Sequence, residues 1–351
     1  MKSKRKQHFL VIVAAFVLAG LLVRANVKKH ERPAVLTLQA HKGYQAHKGY
    51  IVSVAFMPDG LSLISGGDKS VKLWDTKTGR LKQVLTELPF PCYDLQLSPQ
   101  GNHFAVSWQD ALSMRHPLQY RETTKGKVVW SGSRLPGPVW SQFSSNGKII
   151  LEQSHEGITA RDTSNGKMIK VIKVGSVLTT FSRDNSLLAI AQPESNRYGF
   201  IEVVIKETKY YQTVKTIEVA TQSSSKTPLD VDPLINCIIF IGHKVVLGGP
   251  AHGGVGFQVL NSVTGKLIKR SLDNRGITAF ALSRDDKYLA VAYSDGNLDI
   301  LSTADWRISQ RITSSGNLIS TRAMNFSPDG NFLAVGDVNG IISFYKFNHF
   351  S

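Results

Sequence analysis

The stretch Ala323-Met324-Asn325-Phe326-Ser327-Pro328-Asp329-Gly330-Asn331-Phe332-Leu333-Ala334-Val335 decides the fold. It reads apolar strand, four-residue turn, apolar strand. Pro fixes φ, Asp caps the turn locally, and Gly takes the left-handed conformation that closes it. The tetrad recurs as Met57-Pro58-Asp59-Gly60, Ser98-Pro99-Gln100-Gly101, Ser144-Ser145-Asn146-Gly147, Ser182-Arg183-Asp184-Asn185 and Ser283-Arg284-Asp285-Asp286. Its last residues stand at 60, 101, 147, 185, 286 and 330. The widest step, from 185 to 286, must hold two units. The absent turn is Ile241-Gly242-His243-Lys244, between two apolar runs.

A second turn, Thr/Ser-x-Gly-Lys/Arg, follows about twenty residues later in each unit. It appears at Thr76–Arg80, Thr123–Lys127, Thr163–Lys167 and Ser262–Lys266, and a further strand follows it. Each unit therefore holds four strands. Seven units run from His47 to Phe347 and average 43 residues, the spacing of a four-stranded propeller blade. Second strands are almost continuous in apolar residues, as expected of strands covered on both faces. The last unit stops after its third strand. Ala34-Val35-Leu36-Thr37-Leu38 stands spare before the first and is expected to complete it, which removes an open edge. The fold class is all-β, a seven-bladed propeller with domain limits 47–351. Residues 26–46 form a linker that carries the closing strand.

The first unit resembles a WD repeat. His47 leads it after a duplicated Gln-Ala-His-Lys-Gly-Tyr, and Leu73-Trp74-Asp75 ends its third strand. The resemblance implies a structural hydrogen-bond relay of His47, Ser65, Asp68 and Trp74. The other six units keep the turns and strands and lack the His and the Trp-Asp pair. The family likeness also implies a protein-binding scaffold. Its partner would sit on the face where second-to-third strand turns meet the starts of first strands. The residues expected to anchor it are Tyr93, Trp108, Arg115, Trp140, His155, Arg275 and Arg322, because aromatics and Arg dominate interface energetics.

The N-terminus reads as an address. Lys2, Lys4, Arg5 and Lys6 precede fifteen apolar or small residues, Phe9 to Val23, with Ala25 at a small-residue cut site. Residues 1–25 are a cleaved signal peptide or an uncleaved signal-anchor. Either places the rest of the chain outside the cytoplasm, with membrane contact through residues 9–23 if uncleaved.

The net charge is +16, which suits an anionic polymer as an additional ligand, but no Lys/Arg run follows the N-terminus and no nucleic-acid motif occurs. Serine-hydrolase elbows, zinc helices and Cys-x-x-Cys pairs do not occur, and no cofactor is expected. The Gly-rich stretch 248–256 reads as a turn, since no helix follows it to hold a phosphate. An alternative function is a propeller hydrolase or dehydrogenase. Its channel-mouth metal or cofactor site would draw on His155, Glu156, Asp110, Glu194, His252 and Asp295. Cys92 and Cys237 fall on first strands three units apart, too far for a disulfide. The protein is expected to be a non-enzymatic monomer with free, packed thiols.

Overall fold

The structure, a computed structural model, describes residues 36–39, 49–110, 115–136, 139–154, 156–175, 178–193, 200–220, 235–249, 256–271, 275–313 and 323–347. Every element in them is a strand. Blade 1 holds β2 (Ser53–Phe56), β3 (Ser62–Gly66), β4 (Ser70–Asp75) and β5 (Leu81–Glu87), where β1 is Leu36–Gln39. Blade 2 holds β6 (Cys92–Leu97), β7 (His103–Trp108), β8 (Arg115–Glu122) and β9 (Val128–Pro136). Blade 3 holds β10 (Trp140–Phe143), β11 (Ile149–Ser154), β12 (Gly157–Asp162) and β13 (Met168–Ile172). Blade 4 holds β14 (Leu178–Phe181), β15 (Leu187–Pro193), β16 (Phe200–Glu207) and β17 (Thr213–Ala220). Blade 5 holds β18 (Cys237–Ile241), β19 (Lys244–Gly248), β20 (Phe257–Asn261) and β21 (Leu267–Arg270). Blade 6 holds β22 (Ile277–Leu282), β23 (Tyr288–Tyr293), β24 (Asn297–Ser302) and β25 (Ile308–Thr313). Blade 7 holds β26 (Met324–Phe326), β27 (Phe332–Gly336) and β28 (Ile341–Lys346). Strands pair antiparallel in chain order within each sheet, and the seventh sheet runs β1-β28-β27-β26.

The turns behave as their residues require. Gly60, Gly101, Gly147, Asn185, Gly242, Asp286 and Gly330 all have φ between 55° and 76°. The third-to-fourth strand turns of blades 4 and 6 carry no Gly. Tyr211 and Trp306 stand there at φ 59° and 63°, a conformation costly for bulky residues. Burial offsets the cost. Trp306 packs 5.9 Å from the Phe257 ring with Lys244 Nζ 5.4 Å over it, and Tyr211 sits among Phe181, Leu188 and Val204.

Each seam between neighbouring blades has its own apolar cluster. Val52, Ile64 and Val71 of blade 1 meet Leu95, Phe104 and Trp108 of blade 2. Ile51 and Val54 of blade 1 meet Ala334, Ile342 and Phe344 of blade 7. Comparable clusters join the remaining five seams. Polar links cross the same seams. Ser53 Oγ donates to the Leu95 carbonyl at 2.8 Å, and the Asp94 carboxylate accepts from Ser141 N (2.8 Å) and Ser141 Oγ (2.6 Å). Such buried links specify which strand faces which, because a lost partner would leave a polar group dry.

The first-to-second strand turns form a ring at one end of the channel. Gln100 Nε2 donates to the Asn146 carbonyl, and Asn146 N donates to Asn185 Oδ1. Blade 5 breaks the ring, since its turn has two residues, 242–243, where the others have five. Arg183 of blade 4 spans the gap. Its Nη1 lies 2.9 Å from Asp286 Oδ2, and its Nη2 donates to the Arg284 carbonyl of blade 6.

Cys92 and Cys237 are free and buried on β6 and β18. Burial pushes both thiols well above their usual pKa, and the Asp94 and Asp68 charges raise Cys92 further. The thiolate is the reactive form. Both thiols should resist iodoacetamide at mildly alkaline pH in the folded protein and alkylate fully once guanidinium unfolds it. Mass spectrometry reads the difference, and rapid labelling of either thiol in the native state would contradict this packing.

Candidate functional site

Loop length separates the two ends of the disc. Third-to-fourth strand turns all have five residues: 76–80, 123–127, 163–167, 208–212, 262–266 and 303–307. First-to-second strand turns match them, apart from blade 5. Connections at the other end vary. Between second and third strands they run from two residues (155–156) to eight (249–256). Between blades they run from three (137–139) to sixteen (221–236). One face is therefore fixed by turn chemistry, and the opposite face is free to differ from blade to blade.

On that variable face the first strands begin at the channel mouth. Tyr93, second in β6, is half-buried. Its ring lies 4.8 Å edge-on from His116 of β8 and 5.6 Å from Trp140, the first residue of β10. Burial, then the Asp94 charge, pushes the Tyr93 phenol well above its usual pKa, so it stays a neutral donor. Arg115 is exposed at the start of β8, in a bridge with Asp110. An aromatic pair thus caps the joint of blades 2 and 3, with Arg115 at the same end of blade 2.

A second polar cluster caps blade 6. Asp299 is fully buried and accepts from two guanidiniums. Arg275 Nη2 stands 2.9 Å from its Oδ2, and Arg311 Nε 2.7 Å from its Oδ1. The Arg275 guanidinium also lies 3.6 Å above the Tyr293 ring, and Asp295 is 3.9 Å away. Asp299 raises the Arg311 pKa through its hydrogen bonds and charge. The two arginines present planar cations that the buried carboxylate holds in place.

Of the residues expected to anchor a partner, Tyr93 and Trp140 come together, and Arg115 and Arg275 lie on the same face. Trp108 is a correction. It is 7% exposed, in the seam core with Cys92 and Phe104. Second strands are covered on both faces, and an aromatic at the end of one packs as the rest do. His155 and Arg322 lie outside the described residues. So does His47 of the expected relay. Trp74 Nε1 does donate to Ser65 Oγ at 2.8 Å, and Asp68 accepts from Ser70 Oγ at 2.7 Å. His103 opens β7 and stacks 4.7 Å from the Tyr120 ring. Among the described residues, no three His, Cys, Asp or Glu side chains gather around a common metal position.

The model of the family described as "WD domain, G-beta repeat" matches residues 35–75 and 310–346. The chain is a WD-repeat propeller protein. The second match adds the seventh unit to the first, which alone stood out by its Trp-Asp pair. Each match begins around the fourth strand of one blade and runs through three strands of the next, so the family unit straddles a seam. No curated protein matches the chain.

The WD-repeat pattern also explains the blades that lost it. In blade 3, Arg161 faces Ile150 across the register as Trp74 faces Leu63 in blade 1. Glu152 stands where Ser65 does. The Trp–Ser hydrogen bond is replaced there by an ion pair, Arg161 Nε to Glu152 Oε2 at 2.8 Å, with the Glu152 side chain fully buried. Asp94, Ser141, Glu152 and Asp299 were not singled out from sequence. An isolated acid inside an apolar strand was the available signal.

Proposed function

We propose that the protein is an exported or membrane-anchored scaffold. It binds another protein or peptide on the variable face, with Tyr93, Trp140 and Arg115 as the central anchors. WD-repeat propellers typically act as non-enzymatic binding scaffolds. The observation that carries the reading is the confinement of all loop variation but one turn to a single face, with a half-buried aromatic pair at its channel mouth. Tyr and Trp there offer large contact area at low entropic cost, and Arg adds a charged donor. Export or anchoring rests on residues 1–25, which lie outside the described residues. Among those described, no helix is long and apolar enough to cross a membrane.

The test is capture of the full chain through a C-terminal tag after mild cross-linking of intact cells, with sequencing of its N-terminus. A mature start at Asn26 supports secretion, and a retained Met1 in the membrane fraction supports anchoring. A partner bound by the native protein should lose about 30-fold or more in affinity on Trp140→Ala, the size of an interface hot spot. Lys77→Ala on the opposite face should leave it unchanged. Equal effects of the two, at unchanged melting temperature, would remove the assignment of the face.

A further inference from the structure

The outer edge of the disc carries most of the protein's charge. The third-to-fourth strand turns and fourth strands (76–87, 123–136, 163–173, 208–220, 262–271, 303–313) hold sixteen Lys and Arg against three acids, Glu87, Glu218 and Asp305. That is a net +13 of the chain's +16. The same segments hold twelve of the thirteen large hydrophobic side chains that are exposed among the described residues, Leu61 being the other. Cations and bare aliphatic side chains therefore share one rim.

The edges of blades 3 and 5 are its densest parts, each with three exposed aliphatic side chains, three cations and no acid. β13 exposes Met168, Ile169 and Val171 at 58%, 49% and 44%, between Lys167, Lys170 and Lys173. No acid occurs from 163 to 173, and among the described residues none of the three ammonium groups meets a carboxylate. A groove beside the strand, lined by Thr159, Val171 and Lys173 with Glu156 at its side, continues the surface.

We propose that this rim, centred on β13, is a peripheral docking surface for an anionic lipid bilayer. The chemistry selects lipid. Lys near an anionic bilayer is attracted to it, and aliphatic side chains beside Lys bury into the boundary between headgroups and acyl chains. A nucleic acid strand would ask for exposed aromatic faces to stack on. The rim's Trp rings turn inward instead, and among the described residues Tyr210 is its one largely exposed aromatic ring, on blade 4 and not on β13. Trp130 lies against the Gly166 turn and Tyr120, and Trp306 packs on Phe257. The contact is separate from the variable face and does not rest on it.

The experiment uses the full chain with Met168→Cys bearing an environment-sensitive dye, the two native thiols being buried. Phosphatidylcholine vesicles are added with and without phosphatidylserine. The emission should shift to the blue only with phosphatidylserine, and high salt should abolish the shift. Lys167→Glu, Lys170→Glu and Lys173→Glu together should weaken vesicle binding about 100-fold. A dye at Ser145→Cys, on the turn ring, should not respond. Because the dye reports residue 168 itself, insertion of residues 9–23 cannot mimic the result. No shift at 168, an equal shift with neutral vesicles, or an equal shift at 145 overturns the proposal. So does a response to a single-stranded oligonucleotide in place of vesicles.

Discussion

Arg161→Ala should lower the unfolding free energy by about 3–5 kcal/mol at neutral pH, although the arginine lies at one end of a single strand. Its guanidinium serves the fully buried Glu152 carboxylate at 2.8 Å and donates to the Gly166 carbonyl at 3.0 Å. The seam around it is apolar, with Ala105, Leu118 and Ile150 at 0% exposure. Without Arg161 the carboxylate keeps its desolvation cost and loses the cation held 2.8 Å from it. The protonated acid then becomes the cheaper buried form, so Glu152 in the variant should titrate above the ordinary value of about 4.3. The sign follows from linkage. Between the unfolded and the raised folded pKa the variant's native state holds the extra proton, so its stability falls as pH rises through that window. The deficit against the native sequence should therefore be large at neutral pH and shrink toward pH 4–5. Urea unfolding at both pH values measures it. Adding Glu152→Gln to Arg161→Ala should flatten the pH dependence and recover part of the loss. A deficit below about 1 kcal/mol at neutral pH would mean that the pair behaves as a screened surface bridge.

Gly336→Val should be nearly as damaging, for a steric reason. A Cβ at Gly336 would lie 2.5 Å from Ile51 Cγ2 and 2.9 Å from Ile51 Cβ. Ile51 is fully buried and branched at Cβ, and its N–H donates to the Asp337 carbonyl at 3.0 Å, so it has little room to move. This seam joins blade 7 to blade 1. Overpacking costs typically 1–3 kcal/mol, and Gly336→Ala should fall in that range, about 2 kcal/mol, with Val above it. The same device recurs at the ends of β3 and β19, where Gly66 meets Cys92 and Leu95, and Gly248 meets Cys237 and Ile277. The cycle with Ile51→Ala tests the mechanism. The double variant should be less destabilised than the sum of the singles, because the smaller residue vacates the collision. Strict additivity would show that Gly336 matters for some reason other than Ile51.

Much of the architecture could be read from the chain because its turns demand particular residues. A left-handed turn position calls for Gly, Asn or Asp, and seven such positions at regular spacing define seven blades. The reading was incomplete at Tyr211 and Trp306, where burial in a seam sustains the same φ and no small residue marks it. Glu152 and Arg161 were not paired because only the strand register sets residues nine apart diagonally on one face of the sheet. Trp108 was misplaced because strand-end aromatics look alike in sequence, and the covering of second strands on both faces decides where they point. The basic rim is the clearest case of a hidden property. Each of the first six blades contributes two or three cations to it, about one blade apart along the chain, so no run exists to be noticed until the fold lines them up. For the variable face, sequence supplied the aromatics at the channel mouth but not the buried acids behind them.

Blade 5 is joined to blade 4 by the longest connection between blades, residues 221–236, and at the other end the Arg183 strut passes over it from blade 4 to blade 6. The propeller is thus divisible. A polypeptide severed within 221–236 would yield two pieces, one with four blades and one with three. They would still share β1 with β28 on one side and the seam of Phe240, Val245 and Leu247 with Val203 and Ile205 on the other. Reassembly of the disc then becomes a binding reaction between complementary pieces. That makes this linker the natural place to build a reporter whose signal appears only when two separately produced parts meet.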